Sequence, residues 1–261
     1  MLAIHRLVRP QDLSVVFQPI VDLRTGVTFA QEALVRCSLP EIADPPTLFR
    51  QAIQARCAGR LGRMIREIAI PLCSGIPVFV NIHPAELGEP WLVRPDDAVF
   101  THDTDVYLEI TESVPLTHFD RVREVVREIR ARGGIELVID DLGAGYSNLK
   151  RIADLEPKVV KLDRGLIEGC DRSDRQRKLM KGVVDLCRDL GADVVGEGIE
   201  TEAELDAVRA AGVQYGQGYL FARPGFPIPA VTIPPSMSAS LPPPQSVERA
   251  RRRTGAGAVG R

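Results

Sequence analysis

The segment LVIDDLGAGYS, residues 137–147, decides how the fold is interpreted. Its first residues are apolar and largely β-branched, which is typical of a buried strand, and its two glycines then supply a turn. Because side chains alternate across a strand, the adjacent acids Asp140 and Asp141 can reach one ligand only where the strand ends and turns. A helix capped by Ser147 is expected to follow. The segment therefore predicts a strand that delivers two carboxylates to a site.

Other apolar runs end in polar residues in the same way. These runs are FVNIHP (79–84), VYLEITES (106–113), VVKLD (159–163) and VVGEGIE (194–200). Burying carboxylates, amides or a lysine beside Val and Ile is costly unless something neutralises them, and the obvious candidate is a bound metal ion. For any single acid, a helix N-cap or a surface ion pair is the competing explanation.

The strands and helices predict an α/β fold. Strands are predicted near residues 14–22, 28–35, 78–82, 106–110, 136–141, 158–162, 193–198 and 216–221, and amphipathic helical segments over 48–73, 118–133, 175–191 and 202–212. Strands that alternate with helices favour a (β/α)8 TIM-like barrel, in which the carboxyl ends of the strands converge on one mouth. The first connection is too short for a helix and contains Arg24, Thr25 and Gly26. We therefore expect a hairpin there and one antiparallel strand.

Composition limits the class of protein. The chain has 261 residues and 44% hydrophobic content, which is enough for one main domain, predicted over residues 1–230. Thirty-three basic and 35 acidic residues give a net charge of -2, which offers no electrostatic reason to bind duplex nucleic acid or a membrane. The sequence has no membrane-length run of about 18 apolar residues and no secretory signal, so a cytoplasmic location is expected. Residues 231–261 are rich in Pro, Ser and Arg and predict a disordered tail.

The available donor atoms indicate which metal could bind. The oxygen donors are Glu32, Asn81, Glu109, Asp140, Asp141 and Glu197. Such a set, without His or Cys, suits Mg²⁺, Mn²⁺ or Ca²⁺ rather than zinc or copper. Two ions together can activate water and stabilise the leaving oxygen of a phosphoester. Lys161 would add a positive charge that orients the water or neutralises developing charge. The residues therefore predict metal-dependent phosphoester hydrolysis.

From about residue 15 to residue 224 the chain resembles the EAL-type cyclic di-GMP phosphodiesterases. The matching motifs, in the family's order, are FQPIVDLRTG, EALVR, NIHP, LEITES, DDLGAGYSNL, KLDR, GEGIET and QGYLFARP. The resemblance implies a barrel with one antiparallel strand that binds two Mg²⁺ or Mn²⁺ ions, is inhibited by Ca²⁺ and opens cyclic di-GMP to linear pGpG. It also implies a homodimer. No sensor domain is expected before the first strand, so control would come from metal, substrate, self-association or a separate regulatory protein.

The resemblance implies a role for each matching position. The metal ligands would be Glu32, Asn81, Glu109, Asp140, Asp141 and Glu197. The catalytic groups would be Lys161, which would contact the hydrolytic water, with Glu32 and Glu197. The substrate contacts would be Gln18, Leu34, Arg36, Asp163, Gln217 and Pro224. Glu112 and Glu200 would anchor the loop after the aspartate pair, although a helix-start acid explains Glu200 equally well. In that loop the family's DDFGTGYSS is here DDLGAGYSN, and the hydroxyl lost at Ala144 predicts lower activity.

Two other functions remain as alternatives. One is a receptor that binds cyclic di-GMP without hydrolysing it; such family members usually lose metal ligands, and this chain keeps them. The other is an enolase-like barrel, which also combines strand-end carboxylates with a lysine. That class needs a sizeable N-terminal capping domain, and the short segment before Val15 leaves no room for one.

Overall fold

Eight strands close into a barrel in chain order. The fold is that of a computed structural model, which describes residues 8–88, 92, 94–111, 119–143 and 149–238. The strands are β1 Leu13–Asp22, β2 Thr28–Cys37, β3 Val78–Asn81, β4 Val106–Thr111, β5 Ile135–Leu142, β6 Val159–Leu162, β7 Asp193–Gly196 and β8 Tyr215–Gly216. Strand β1 is antiparallel to β2 and to β8, whereas the other neighbouring pairs are parallel. The predicted α/β barrel with one antiparallel strand is confirmed.

The connection from β1 to β2 explains the antiparallel strand. Asp22 Oδ1 accepts hydrogen bonds from the backbone nitrogens of Arg24 and Thr25, at 2.8 and 3.0 Å. Gly26 then donates to the carbonyl of Asp22 at 2.8 Å and takes a φ of 73°, which glycine tolerates best. So tight a turn reverses the chain, since a parallel connection needs a dozen or more residues. The predicted hairpin is confirmed.

Helices pack around the strands. They are α1 Pro45–Gln54, α2 Ala58–Leu72, α3 Phe119–Ala131, α4 Leu149–Leu155, α5 Arg164–Ile167, α6 Asp174–Asp189, α7 Glu202–Ala211 and α8 Pro235–Ser238. The helical segment predicted over 48–73 forms two helices, because Arg56 adopts a φ of 53° between them. Gly191 and Gly212, which follow α6 and α7, have φ of 81° and 89°, a left-handed conformation in which glycine ends a helix. In the described part of the chain, no helix has the length and apolarity that a bilayer crossing requires.

Residues 231–238 differ from the predicted disordered tail. Val231 and Ile233 lie against the main hydrophobic core, and Met237 in α8 is fully buried. The backbone nitrogen of Ser236 donates to Glu202 Oε2 at 3.0 Å. The tail prediction is therefore wrong for these residues, because a few well-spaced apolar side chains outweigh their Pro-rich and Ser-rich surroundings. The rest of the predicted tail, 239–261, lies outside the described residues.

A buried ion cluster ties α2 to the segment that follows β3. Arg66 of α2 pairs with Glu86 at 2.9 Å and with Asp97 at 2.8 Å, and all three side chains are buried. Glu86 also accepts a hydrogen bond from the backbone nitrogen of His83 at 2.9 Å. Buried charges are tolerated only when each is well paired. The backbone just beyond β3 is thereby fixed by a helix on the outside of the barrel.

We expect Gly62→Ala to destabilise the protein. A Cβ on Gly62 of α2 would overlap with the Glu86 carboxylate, which would have to move away from Arg66. The free energy of unfolding should fall by about 2 kcal/mol, as for other overpacked sites. Urea unfolding measures the change.

The matched control is Gly182→Ala in α6, where a Cβ would meet nothing within 4 Å. Because glycine is a poor helix former, this variant should be more stable by about 0.5–1 kcal/mol. Equal stability of Gly62→Ala and the unmodified protein would contradict the tight packing of the cluster.

Candidate active site

The candidate site lies one layer above a small core inside the barrel. That interior core includes Ala30, Phe79, Tyr107, Val138, Val159 and Val195, one from each of six strands. Because side chains alternate along a strand, the residue two positions later faces the same interior, closer to the strand's carboxyl end. Those residues are Glu32, Asn81, Glu109, Asp140, Lys161 and Glu197. The period of the strands thus gathers all six at one mouth.

Lys161 is the centre of the site. Its Nζ lies 2.7 Å from Glu197 Oε1, 2.8 Å from Glu109 Oε1, 3.3 Å from Asp140 Oδ1 and 3.4 Å from Glu32 Oε2. Burial by itself lowers the pKa of Lys161, but these carboxylates raise the pKa well above its ordinary value. The buried side chain therefore stays charged. It can donate a hydrogen bond, but it cannot accept a proton.

One ammonium does not balance the surrounding carboxylates. Burial raises the pKa of Glu109 well above its ordinary value, against the opposing effect of Lys161. Burial also raises the pKa of Glu197 to about 8 and, together with the Asp140 charge, that of Asp141 to about 6. Each shift reports that a further negative charge is unfavourable here. The site is short of positive charge.

Side-chain amides hold the carboxylates in place. Gln217 Nε2 donates to Glu32 Oε2 at 2.6 Å, and Asn81 Nδ2 donates to Glu32 Oε1 at 3.3 Å and to Glu109 Oε2 at 3.1 Å. Burial raises the pKa of Glu32, but Lys161 and these amides outweigh it, so the pKa lies below its ordinary value. Since both hydrogens of the Asn81 amide are used, its carbonyl oxygen is the atom left for a ligand.

The aspartate pair reaches the site through a bulge rather than a strand end. Strand β5 continues to Leu142, and its register with β6 shifts between Ile139 and Leu142. Asp141 takes a φ of 59°, which is uncommon for a residue other than glycine. This backbone brings one oxygen each of Asp140, Asp141 and Glu197 within 4.8 Å of one another. The strand end that the sequence predicted at the aspartate pair is thus a bulge inside the strand.

The donor atoms fit divalent cations. Glu32, Glu109, Asp140 and Glu197 all place an oxygen within 3.4 Å of the single ammonium of Lys161. Carboxylate oxygens that outnumber the cations paired with them are what Mg²⁺ or Mn²⁺ would bind. The residues that could hold such ions are Glu32, Asn81, Glu109, Asp140, Asp141 and Glu197.

Two cavities open beside the carboxylates, and Glu32 and Leu34 line both. The larger, about 380 Å³, is also lined by Arg36 and by the aspartate pair. The smaller, about 220 Å³, is also lined by Gln18 and Gln217. A ligand that spans both cavities would place its middle at the carboxylates.

Comparison with known proteins agrees with this geometry. The family model described as the EAL domain matches residues 2–224. The chain belongs to the EAL domain family. It is 33% identical over 234 residues to an uncharacterised protein of Azorhizobium caulinodans, covering 82% of this chain and 32% of that protein. It is 31% identical over 226 residues to the cyclic di-GMP phosphodiesterase PA2567 of Pseudomonas aeruginosa, covering 81% of this chain and 38% of that protein.

Solved structures of EAL proteins share the fold. The calcium/cy-diGMP complex of Klebsiella pneumoniae BlrP1 at pH 8.0 superposes with a TM-score of 0.73 at 29% identity, over 83% of this chain and 57% of that one. The c-di-GMP complex of the PaMucR phosphodiesterase gives a TM-score of 0.73 at 25% identity, over 85% of this chain and 94% of that one. The first curated relatives are much longer, since the matches cover 32%, 27% and 31% of their lengths.

Two other residues of this EAL domain that were predicted to contact substrate, Asp163 and Pro224, line neither cavity. Asp163 caps α5 by accepting from the backbone nitrogen of Gly165 at 2.8 Å, and its charge contributes to the raised pKa of Asp141. Asp163 is therefore near the aspartate pair. Pro224 lines neither cavity, although the carbonyl of Ala222, two residues earlier, accepts a hydrogen bond from Gln18 Nε2 at 3.1 Å.

The structure describes Glu200 but not Glu112, the two residues predicted to anchor the loop. Glu200 lines the smaller cavity and pairs with Arg164 at 3.0 Å. It does not cap α7, because Thr201 and Glu204 form the capping box there. Glu112 and the loop residues 144–148 lie outside the described residues, so the anchoring role stays a prediction.

Sequence reasoning did not single out two residues of the larger cavity, Phe49 and His83. His83 is half-buried, and burial lowers its pKa. Its position two residues after Asn81 was the available signal. Phe49 carried no signal, because an aromatic residue on an amphipathic helix most often belongs to the core.

We expect Lys161→Met to destabilise the metal-free EAL domain by about 3–5 kcal/mol, because it leaves the buried carboxylates without their cation. Adding Mn²⁺ should recover part of the loss. Urea unfolding in EDTA and in Mn²⁺ measures both effects.

Lys158→Met, just before the same strand, is the matched control. Lys158 makes an exposed ion pair with Asp193 at 3.4 Å. Such pairs contribute less than about 1 kcal/mol. If both variants lose the same stability, Lys161 does not hold the site together.

Proposed function

We propose that this EAL domain hydrolyses cyclic di-GMP to linear pGpG with two Mg²⁺ or Mn²⁺ ions. The observation that carries the proposal is the buried cluster around Lys161, in which four carboxylates share a single ammonium. The names of two relatives support the substrate. PA2567 is a cyclic di-GMP phosphodiesterase, and BlrP1 was solved with cy-diGMP.

The ligand sets proposed for the two ions are those that the family resemblance implies. The first ion would be held by Glu32, Asn81, Glu109 and Asp140. The second would be held by Asp140, Asp141 and Glu197, whose oxygens cluster. Bound in pairs, such ions activate water and stabilise charge that develops on the oxygens of a phosphodiester. Ca²⁺ accepts more flexible coordination than Mg²⁺, and we propose that it permits binding but slows turnover.

The protein's own groups position the substrate and stabilise charge. The carboxylates around Lys161 keep it protonated in the metal-free site, and its ammonium would orient the attacking water or offset negative charge on the phosphate. Arg36 lines the larger cavity, and a guanidinium binds phosphate oxygens in pairs. Gln217 and Gln18 line the smaller cavity and are joined by a 3.2 Å hydrogen bond. The phosphodiester would lie between the cavities, with one half of the dinucleotide in each.

Turnover is the direct test of the proposal. Purified protein with Mn²⁺ or Mg²⁺ should convert cyclic di-GMP to pGpG, measured by chromatography of the products. Glu32→Gln keeps the shape of the side chain but removes its charge, and should lower kcat by at least about 100-fold.

Glu136→Gln on β5 is the matched control, because Glu136 is partly exposed and pairs with Arg130 at 3.8 Å. This variant should keep the activity of the unmodified protein. Absence of turnover with either metal would contradict the proposal. Tight binding in Ca²⁺ without turnover in Mg²⁺ would identify the receptor alternative instead.

We further propose a homodimer that uses α6. Leu179 on this helix and Leu190 just after it are 57% and 42% exposed, and their spacing of 11 residues puts them on the same face, where they could contact a second copy. Leu179→Lys should shift the sedimentation coefficient to that of a monomer. Leu72→Lys is the matched control and should not shift it, because Leu72 is 41% exposed but lies on α2. A monomer before any substitution would refute the dimer.

A cytoplasmic location and a separate regulatory protein stay predictions.

A further inference from the structure

The larger cavity has an aromatic wall that the proposed chemistry does not use. Phe49 of α1 and His83 after β3 both line it. Their rings stack, with centroids 6.4 Å apart and 20° between the planes. Pro45 and Pro46 line the same cavity. A flat, largely apolar wall suits a planar aromatic group rather than a phosphate or a sugar.

The backbone that carries each ring is fixed by hydrogen bonds to neighbouring side chains. Phe49 belongs to α1, whose N-terminus is capped by Asp44, which accepts from the backbone nitrogen of Thr47 at 3.1 Å. The backbone of His83 is held by Glu86, which is itself fixed by the buried Arg66. A wall that is already in place does not have to be ordered when a ligand binds.

His83 offers one defined polar atom. Its Nδ1 accepts a hydrogen bond from the backbone nitrogen of Ala85 at 3.1 Å. In the neutral ring the proton therefore lies on Nε2. Among the described residues, none forms a hydrogen bond with that nitrogen. The ring thus has a single N–H donor available for an occupant of the cavity.

We infer that Phe49 and His83 bind one base of the substrate and that His83 favours guanine over adenine. The inference rests on the proposed function for its substrate. Along one edge guanine carries two acceptors, N7 and O6, whereas adenine carries the acceptor N7 and the donor N6. Opposite the six-position, a fixed N–H donor fits O6 of guanine and opposes N6 of adenine, whereas opposite N7 it would not discriminate, so the inferred preference requires contact with O6.

The test compares the affinities for cyclic di-GMP and cyclic di-AMP by calorimetry in Ca²⁺, the ion present in the BlrP1 complex with cy-diGMP. His83→Phe keeps a ring against Phe49 but removes the donor. It should weaken cyclic di-GMP binding about tenfold and change cyclic di-AMP binding less than about twofold. His83→Gln keeps an N–H donor and should retain more of the preference. Phe49→Leu should weaken both ligands about tenfold, because stacking does not select a base.

Phe100→Leu is the matched control. Phe100 lines neither cavity and packs against Arg132, with the guanidinium carbon 4.8 Å from the ring centroid. This variant should leave both affinities unchanged. An unchanged preference in His83→Phe, or no dinucleotide binding before any substitution, would overturn the inference. Binding without turnover would overturn the proposed hydrolysis alone, so the two failures can be told apart.

Discussion

A buried ammonium among carboxylates is the interaction on which the open end of this barrel depends. Taking Lys161 out of water costs several kcal/mol unless partners compensate. The partners come from four other strands or strand ends, all within 3.4 Å of Nζ. The site therefore assembles only if the strands pair in the correct register, since a slip of one residue would turn a carboxylate outward. The same crowding raises the pKa of Glu109 and Glu197 and makes the site receptive to further cations.

A second buried ion cluster shows what distinguishes a structural group from a functional one. Arg66 satisfies Asp97 with paired hydrogen bonds of 2.8 to 3.2 Å and Glu86 with one of 2.9 Å. None of these atoms is left unsatisfied in the described part of the chain. Around Lys161, by contrast, four carboxylates share one ammonium. The Arg66 cluster pairs its charges with good hydrogen bonds, whereas the Lys161 cluster has more negative charge than its one cation balances. The Arg66 cluster nevertheless serves the site, because it fixes the backbone beneath the aromatic wall.

The strands and most site residues could be predicted from the sequence because both follow from local chemistry. A period of two along each strand puts Val159 and Lys161 on the same interior face, and the same holds for Val195 and Glu197. The short turn after Asp22 required a hairpin, and therefore one antiparallel strand, whatever the rest of the chain did. The ordered motifs are by themselves enough to indicate the EAL family.

Other features were decided only by contacts between distant segments. The left-handed Asp141 exists because β5 must stay paired with β6 on both sides of the bulge. Met237 is buried because the barrel offers it an apolar surface, which its own Ser-rich and Pro-rich segment does not suggest. The stack of Phe49 on His83 joins a helix to a strand end. Sequence by itself determined the type and order of the elements and the polar residues at the strand ends, since these depend on neighbours in the chain. Tertiary structure alone decided the bulge, the packed segment after residue 230 and the cavity wall, since these depend on what each segment meets in space.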